Sequence, residues 1–386
     1  MKILYWAGVD LTSPQGHAAH IRHLCEALEH RGHRVRLLAP RPEGPLAWEG
    51  PAGGLRFASR LRLPRLRHVT SEWSLARSAR REMAAFAPDL LVVRLELFTF
   101  GPLLLLDRPP LVVESNSSIP EVIGAEGAAR WRVRLARTLE RRMLRAARSC
   151  AIVTGQLAST QMRAYGLDAE RVGLVPNGAH LPPRFDGPRG GDGRFHLLFM
   201  GNLNRMQGLE TVLEAISRRP DLPLQLTIVG DGCAREPLVA RVRAGGLDDR
   251  VRFLGGLPEG EAVALAQSAH LLVAPYRKAV EKTCGGEVDP LKVLQGLACD
   301  RPVLASRVAG VEIPQGAGEC IAPDDPEAWG DAIRRWFQTW DDAGRPPVDW
   351  PWKEGEGPGR AYVRKARTWD HTAAAWEIVL RQAVGR

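Results

Sequence analysis

The segment Glu287–Val303 (EVDPLKVLQGLACDRPV) places an acid, a helix start and a basic side chain within six residues. Asp289 is a favourable N-cap and Pro290 a favourable first helical residue, so the sequence predicts a helix from Pro290 to about Cys299. A helix N-terminus offers free amides and partial positive charge, which suit a diphosphate. Gly286, next to Gly285, permits close backbone approach, Leu291 opens the first turn, and Lys292 adds a cation there. Gln295 lies on the same helix, eight residues after Glu287. Glu287 precedes the cap and could point into a cleft, whereas capping alone accounts for Asp289 and Pro290. A second loop, Gly201–Gly208 (GNLNRMQG), follows the apolar run His196–Met200. A strand, a glycine loop and then a helix start can present backbone N–H groups to a phosphate; a plain tight turn is the alternative. No Gly-Lys-Ser/Thr follows, so it is not a Walker loop. Gly230 closes a comparable run in Val229–Gly232 (VGDG). In the first half, Pro14–His17 (PQGH) sets Gly16 and His17 at another helix start, able to meet the same phosphates from across a cleft. His17 also reads as an ordinary polar first-turn residue. Glu114-Ser115-Asn116 ends the apolar run Leu111–Val113, at the strand end where doubly wound sheets place function; Asn116 equally suits a turn.

Two series of alternating strand and helix signals position these residues. The first begins with a strand at Ile3–Ala7 and a helix from about His17 to Arg31, whose Ile21, Leu24, Cys25 and Leu28 share one face. Gly32 suits its C-terminal stop. Arg34–Ala39, Asp89–Arg94, Leu111–Glu114, Ala151–Thr154 and Val172–Val175 are short apolar runs of the kind that form buried parallel strands. Pro182–Arg194 reads as a linker. The second series has strands at His196–Met200, Leu224–Val229, Val251–Leu254, Leu271–Ala274 and Val303–Ser306. Asp341–Lys365 reads as loop-rich, and a last helix, about Thr368–Ala383, carries Trp369, Ala373, Trp376 and Leu380 at helical spacing. The expected fold is α/β, with two facing doubly wound domains and ligands in the cleft between them. The expected boundaries are residues 1–181, completed by helix 368–386, a linker at 182–194, and residues 195–367.

Composition narrows the partners. The chain has 386 residues, 45% hydrophobic and 25% charged, enough to build cores and too apolar for disorder. No apolar run reaches the ~18–20 residues of a spanning helix, and the N-terminus reads as a strand rather than a signal peptide. A cytoplasmic protein is therefore expected. Six scattered cysteines show neither CxxC nor metal spacing, as reduced thiols would. Residues 1–180 hold 26 Lys+Arg against 16 Asp+Glu, while 181–386 hold 27 against 28, so the first half carries the whole excess of the net +9. The densest run, Arg130–Arg148, has eight arginines and one Glu, with Val133, Leu135, Leu139, Met143, Leu144 and Ala147 as an apolar stripe. Such a helix suits the anionic inner face of a membrane, making the protein peripheral there; a solvated arginine-rich face is the alternative. Neither a zinc finger, an RRM-like motif nor a convincing helix-turn-helix is present, so nucleic acid is not an expected partner.

In this order the motifs resemble the retaining GT-B glycosyltransferases of family 4, also called group 1, over nearly the whole length. Gly16 with Gly32-His33-Arg34-Val35 is similar to the family's "GG…GHxV" start, Val175–Gly178 to "VPNG", Gly201–Gly208 to "GxLxxxKG", and Val229–Gly232 to "VGDG". Val251–Gly255 is similar to "VxFLG", Glu287–Val303 to the E-x7-E region, and Thr368-Trp369-Asp370 to the closing helix, which in that fold packs on the N-terminal domain. The resemblance implies transfer of a sugar from a nucleotide-diphosphate sugar to a glycan, lipid-linked or small-molecule acceptor, with anomeric configuration retained. It implies no cofactor and no obligatory metal, and the lack of D-x-D agrees. It assigns Glu287 to the donor sugar, Gln295 to the position of the ribose-binding Glu, and Asn202 and Gln207 to the positions of the basic pair that grips the diphosphate. Arg205 or Lys292 would have to compensate for that pair. Asn116 stands near the family's catalytic-site His, and Arg94–Phe98 with Glu114–Asn116 is similar to a subgroup carrying "ERxSLF" and "LExN". His17, Arg94 and Glu96 are thereby expected on the acceptor side. The rival expectations are a binding or scaffold protein of this fold that has lost turnover, and a nucleotide-sugar epimerase. A dehydrogenase is weaker, since no G-x-G-x-x-G follows the first strand.

Overall fold

The computed structural model describes residues 1–12, 16–46, 48–59, 67–184, 192–283, 287–308, 310, 312–345, 351 and 356–385. Gly286, with Gly285 and Pro14, lies outside them, as does most of the expected linker.

The first half builds β1 (Lys2–Trp6), α1 (Gly16–His30), β2 (Arg34–Pro40), β3 (Leu55–Ala58), α2 (Arg67–Phe86), β4 (Leu90–Arg94), β5 (Leu111–Ser115), α3 (Ile119–Ala125), α4 (Arg130–Ala146), β6 (Ser149–Ile152), α5 (Gly155–Tyr165) and β7 (Val172–Leu174). The strands form one parallel sheet in the order β3-β2-β1-β4-β5-β6-β7. Helices cover both faces, which is why β1, β4 and β5 are nearly continuous apolar runs. The Ile21, Leu24, Cys25, Leu28 stripe of α1 is buried against the sheet, and the helix stops before Gly32, whose φ of 85° takes the left-handed conformation.

The second half builds β8 (Phe195–Met200), α6 (Leu209–Ser217), β9 (Leu224–Val229), α7 (Arg235–Ala244), β10 (Val251–Gly255), α8 (Glu259–Ser268), β11 (Leu271–Ala274), α9 (Val280–Thr283), α10 (Leu291–Ala298), β12 (Val303–Ser306), β13 (Gly318–Ile321), α11 (Pro326–Asp342), α12 (Pro358–Ala366) and α13 (Trp369–Gly385). Its parallel sheet runs β10-β9-β8-β11-β12-β13. The two sheets change winding direction between β1 and β4 and between β8 and β11, the crevice positions of doubly wound folds.

The last helix does not belong to the lobe that precedes it. Trp369, Ala373, Trp376, Val379, Leu380 and Ala383 are buried in one cluster with Ile3, Tyr5, Ile21 and Leu24 of the first lobe. Gly173 on β7 makes room, since a Cβ there would lie 2.3 Å from Val379. The crossing is fixed by a bridge between Ala179 and Thr368.

Three differences from the sequence reading have local causes. No element was read between Ala39 and Asp89, where β3 and α2 lie; the buried positions of α2 mix an acid, Glu72, with two alanines, Ala76 and Ala79, and only Leu75 and Phe86 as large apolar residues, a weak periodic signal. Part of the segment read as loop-rich is α12, which Pro358 opens at its first turn. On α4, Met143 and Leu144, with Ala147 just past the helix end, are buried in the protein's own core, so half of the expected membrane-facing stripe is not free. Its outward face instead carries exposed Trp131 and Leu135 among the arginines.

Candidate functional site

The carboxyl ends of both sheets open on a cleft of about 860 Å³ lined from both lobes. From the first lobe come Gly16, Ala19 and Arg22; from the second come Gly201, Asn202, Gln207, Gly230, Leu291, Lys292 and Gln295. Two helix starts face each other here. A Cβ on Gly16, the first residue of α1, would stand 3.6 Å from the Leu291 side chain at the start of α10. The first amides of each helix have no intrahelical acceptor and suit an anion.

The floor is built by glycine contacts. Gly230, at the end of β9, has φ 131° and a Cβ on it would sit 1.9 Å from the Gly201 carbonyl oxygen. Gly201, at φ 143°, lies against Lys292, whose Nζ would be 2.8 Å from a Cβ. Backbone thus meets backbone at the ends of β8 and β9, and Lys292 closes over the turn. Its ammonium donates to Gln207 Oε1 and lies 4.0 Å from the Phe199 ring centroid and 5.1 Å from that of Tyr276. Burial holds its pKa down to about 7. Asn202 and Gln207 are therefore neutral lining groups, with Lys292 as the cation beside them. Arg22, the other cation lining this cleft, is ion-paired with Glu259. Arg205, expected among the phosphate ligands, is exposed in a short 3-10 turn (Arg205–Gln207) and does not line the cleft; Asn204 caps that turn and fixes its direction.

Asp289 corrects the capping expectation. Pro290 is the residue at the N-cap position, with no side-chain cap. The Asp289 carboxylate instead accepts from the Asn177 amide at 2.6 Å and from Arg367. Asn177 Nδ2 returns a bond to the Asp289 carbonyl at 2.6 Å, and Arg367 Nε donates to the Asn177 carbonyl at 3.1 Å. Three distant segments are knotted beside the start of α10. Glu287 faces the other lobe, where its Oε2 accepts from the Gln156 amide at 2.9 Å. It is at the interlobe gap and outside the set lining the cleft.

On the first lobe, Arg94, expected on the acceptor side, and Asn116, expected at the catalytic centre, converge on Glu114. Its buried carboxylate receives Tyr5, Arg94 at 2.5 Å and the Asn116 amide. His20 Nε2 stands 2.8 Å from Oε1. Burial would raise the Glu114 pKa, but Arg94 and His20 hold it far below the usual carboxylate range. Arg94 also donates to Glu96 at 2.9 Å, and burial raises the Glu96 pKa. His17, one residue beyond the cleft-lining Gly16, is kept neutral: burial, then Arg94 and His20, push its pKa down to about 4. Arg94 and Asn116 are thus engaged with a carboxylate rather than lining the interlobe cleft. His20 was not singled out from the sequence; the recurrence of His17, His20 and His23 every third residue on α1 was the available signal.

A smaller recess of about 560 Å³, at the opposite ends of the strands, is lined by Arg108, Arg148 and Arg171. Arg108 and Arg171 are bonded to backbone carbonyls, and this is the wrong end of the sheet for a ligand.

This architecture has relatives. A family model of group 1 glycosyl transferases matches residues 194–339, and one of the glycosyl transferase 4-like domain matches residues 15–178. The chain belongs to the group 1 glycosyltransferases, with a 4-like N-terminal domain. It is 32% identical over 161 residues to a D-inositol 3-phosphate glycosyltransferase of Arthrobacter sp. (strain FB24), a match spanning 38% of this chain and only 36% of that protein. Among solved structures it superposes on the sucrose-phosphate synthase of Thermosynechococcus elongatus with a TM-score of 0.77 at 21% identity, over 99% of this chain and 98% of that one. It superposes on Anabaena HepE in complex with UDP and glucose with a TM-score of 0.67 at 15% identity, over 98% and 99%. The fold is GT-B: two facing Rossmann-like parallel-sheet domains.

Proposed function

We propose that this chain is a retaining glycosyltransferase that moves a sugar from a nucleotide-diphosphate sugar to a glycan, lipid-linked or small-molecule acceptor, in cell-surface polysaccharide or glycoconjugate synthesis. One observation carries the reading: facing helix starts, a backbone-lined glycine floor and Lys292 meet in one interlobe cleft. The diphosphate lies at the α10 start against the first amides of the helix and Lys292, so no metal is obligatory for charge neutralisation. As the leaving group departs, the sugar becomes oxocarbenium-like, and Glu287, at the lobe contact, orients it while the closed cleft excludes water. The acceptor enters over His17 and Glu96. The basic outer face of α4, with exposed Trp131 and Leu135, supports a lipid-linked acceptor and peripheral attachment to an anionic inner membrane face.

The rival reading, a binding or scaffold protein without turnover, is favoured by Asn202, Gln207 and Gln295 at positions where the family carries charge. A thermal-shift panel of UDP-, GDP-, ADP- and TDP-sugars identifies the donor, because a ligand bound only by the native state raises the melting point. Transfer or slow hydrolysis of that donor, lost by roughly 100-fold or more in Glu287→Gln with donor binding retained, is expected. Binding without any turnover in the parent chain would leave the scaffold reading standing.

A further inference from the structure

The hinge between the lobes holds a side-chain cluster that the donor cleft does not use. His23 and Glu26 sit one turn apart on α1, and His180 lies where the chain leaves the first lobe. His23 Nδ1 is 2.7 Å from His180 Nε2 and 3.3 Å from Glu26 Oε2, and the three ligand atoms all lie within 4.8 Å of one another. The other nitrogen of His23, Nε2, is 2.7 Å from Glu259 Oε1, at the start of α8 in the second lobe. A carboxylate there fixes the proton on Nε2 and turns the Nδ1 lone pair toward Glu26 and His180. A single proton on His180 Nε2 would satisfy Nδ1 and still leave the Glu26 carboxylate facing a lone pair. A cation satisfies all three.

We propose that His23, Glu26 and His180 form a divalent-cation site of the zinc class at this hinge, with Glu259 orienting His23. Two imidazoles and one carboxylate are the borderline donor set that zinc and cobalt favour, with water as the usual fourth ligand, and His180 is exposed to solvent. Metal–ligand bonds of about 2.1 Å in a tetrahedron set ligand atoms roughly 3.4 Å apart. The His23–Glu26 spacing of 3.3 Å is already close to this, and the His23–His180 pair opens by about 0.7 Å through the exposed His180 side chain. Arg22 stands on the Nε2 side, 3.4 Å from that nitrogen and ion-paired with Glu259, away from the open face. Trp369 packs on the His23 ring at 5.5 Å and holds it in place. A cation here ties α1 to the hinge segment, and through His23 and Glu259 to a residue of the donor-cleft rim. The site is independent of the transferase reading.

The test uses the untagged full chain, stripped with a chelator and dialysed, then titrated with zinc and with cobalt. One equivalent is expected to bind with micromolar or tighter affinity. The cobalt form is expected to show visible d–d bands of a four- or five-coordinate site, and zinc to raise the melting temperature. His180→Gln, at an exposed position, keeps the fold and is expected to weaken binding at least tenfold and abolish the zinc-dependent melting shift; Glu26→Gln weakens it in the same direction. No stoichiometric binding to the parent chain, or equal binding by His180→Gln, overturns the assignment.

Discussion

Lys292 gives the sharpest test of how the cleft handles a pyrophosphate. Its ammonium is bonded to the neutral Gln207 side chain and packed over Phe199 and Tyr276, and among the described residues no carboxylate pairs with it. Lys292→Met keeps the length of the side chain and removes the charge. One preorganised donor to a developing anion is worth about 3 kcal/mol, roughly 150-fold in rate or affinity. The pKa of about 7 adds a pH signature. Above pH 7 the unliganded site has lost its proton, and binding a diphosphate must restore it, so UDP affinity is expected to fall about tenfold per pH unit between 7.5 and 9. Stability carries the opposite sign. The folded pKa lies below the unfolded value near 10.5, so the native state holds fewer protons between about pH 7 and 10.5, and unfolding free energy rises with pH across that window. Below pH 7 the cost of the buried ammonium is fully present. Lys292→Met is therefore expected to bind UDP far more weakly while being at least as stable at pH 7, with a flatter rise in alkali. Calorimetric titration with UDP from pH 6.5 to 9 and urea melts over the same range read both. A variant that binds UDP within threefold of the parent, with the same pH dependence, refutes the assignment of Lys292 to the phosphates.

Glu114→Ala leaves Arg94 buried without its principal partner and is expected to lower stability by about 3–5 kcal/mol at pH 7. Because the folded pKa of Glu114 is depressed, the stabilisation is present above the unfolded value of about 4.5 and is lost as pH falls below it, so parent and variant urea midpoints should converge in acid; a constant gap down to pH 3 would count against the ion-pair account. Gly230→Ala forces a Cβ to within 1.9 Å of the Gly201 carbonyl oxygen and should weaken UDP binding more than tenfold. Gly127→Ala, also at positive φ but with nothing within 4 Å, is the control; equal loss in both would mean that backbone strain alone is being read.

Strands buried on both faces were legible because they write themselves as unbroken apolar runs: β1, β4, β5, β8 and β9 all stand within a residue or two of where the sequence puts them. The glycine turns after β8 and β9 were legible too, since their conformation admits little else. What the sequence hides is long-range charge. Asp289 has an ideal local capping position, yet Arg367, 78 residues away, and the Asn177 amide take its carboxylate. The Glu114 cluster joins Tyr5 across 109 residues, and no pattern in either segment announces it. Arg205 was expected as a substitute for the missing basic pair, but the capped turn at Asn204 leaves it exposed to solvent.

The return of α13 onto the first lobe has a consequence for biosynthesis. Trp376, whose removal from such a core costs about 3–5 kcal/mol, emerges from the ribosome some two hundred residues after β7. The leading lobe therefore waits with an apolar face uncovered until the trailing lobe has been made. Severing the polypeptide ahead of Trp369 would strip that lobe of its missing wall, and the two halves would be expected to recover only when mixed.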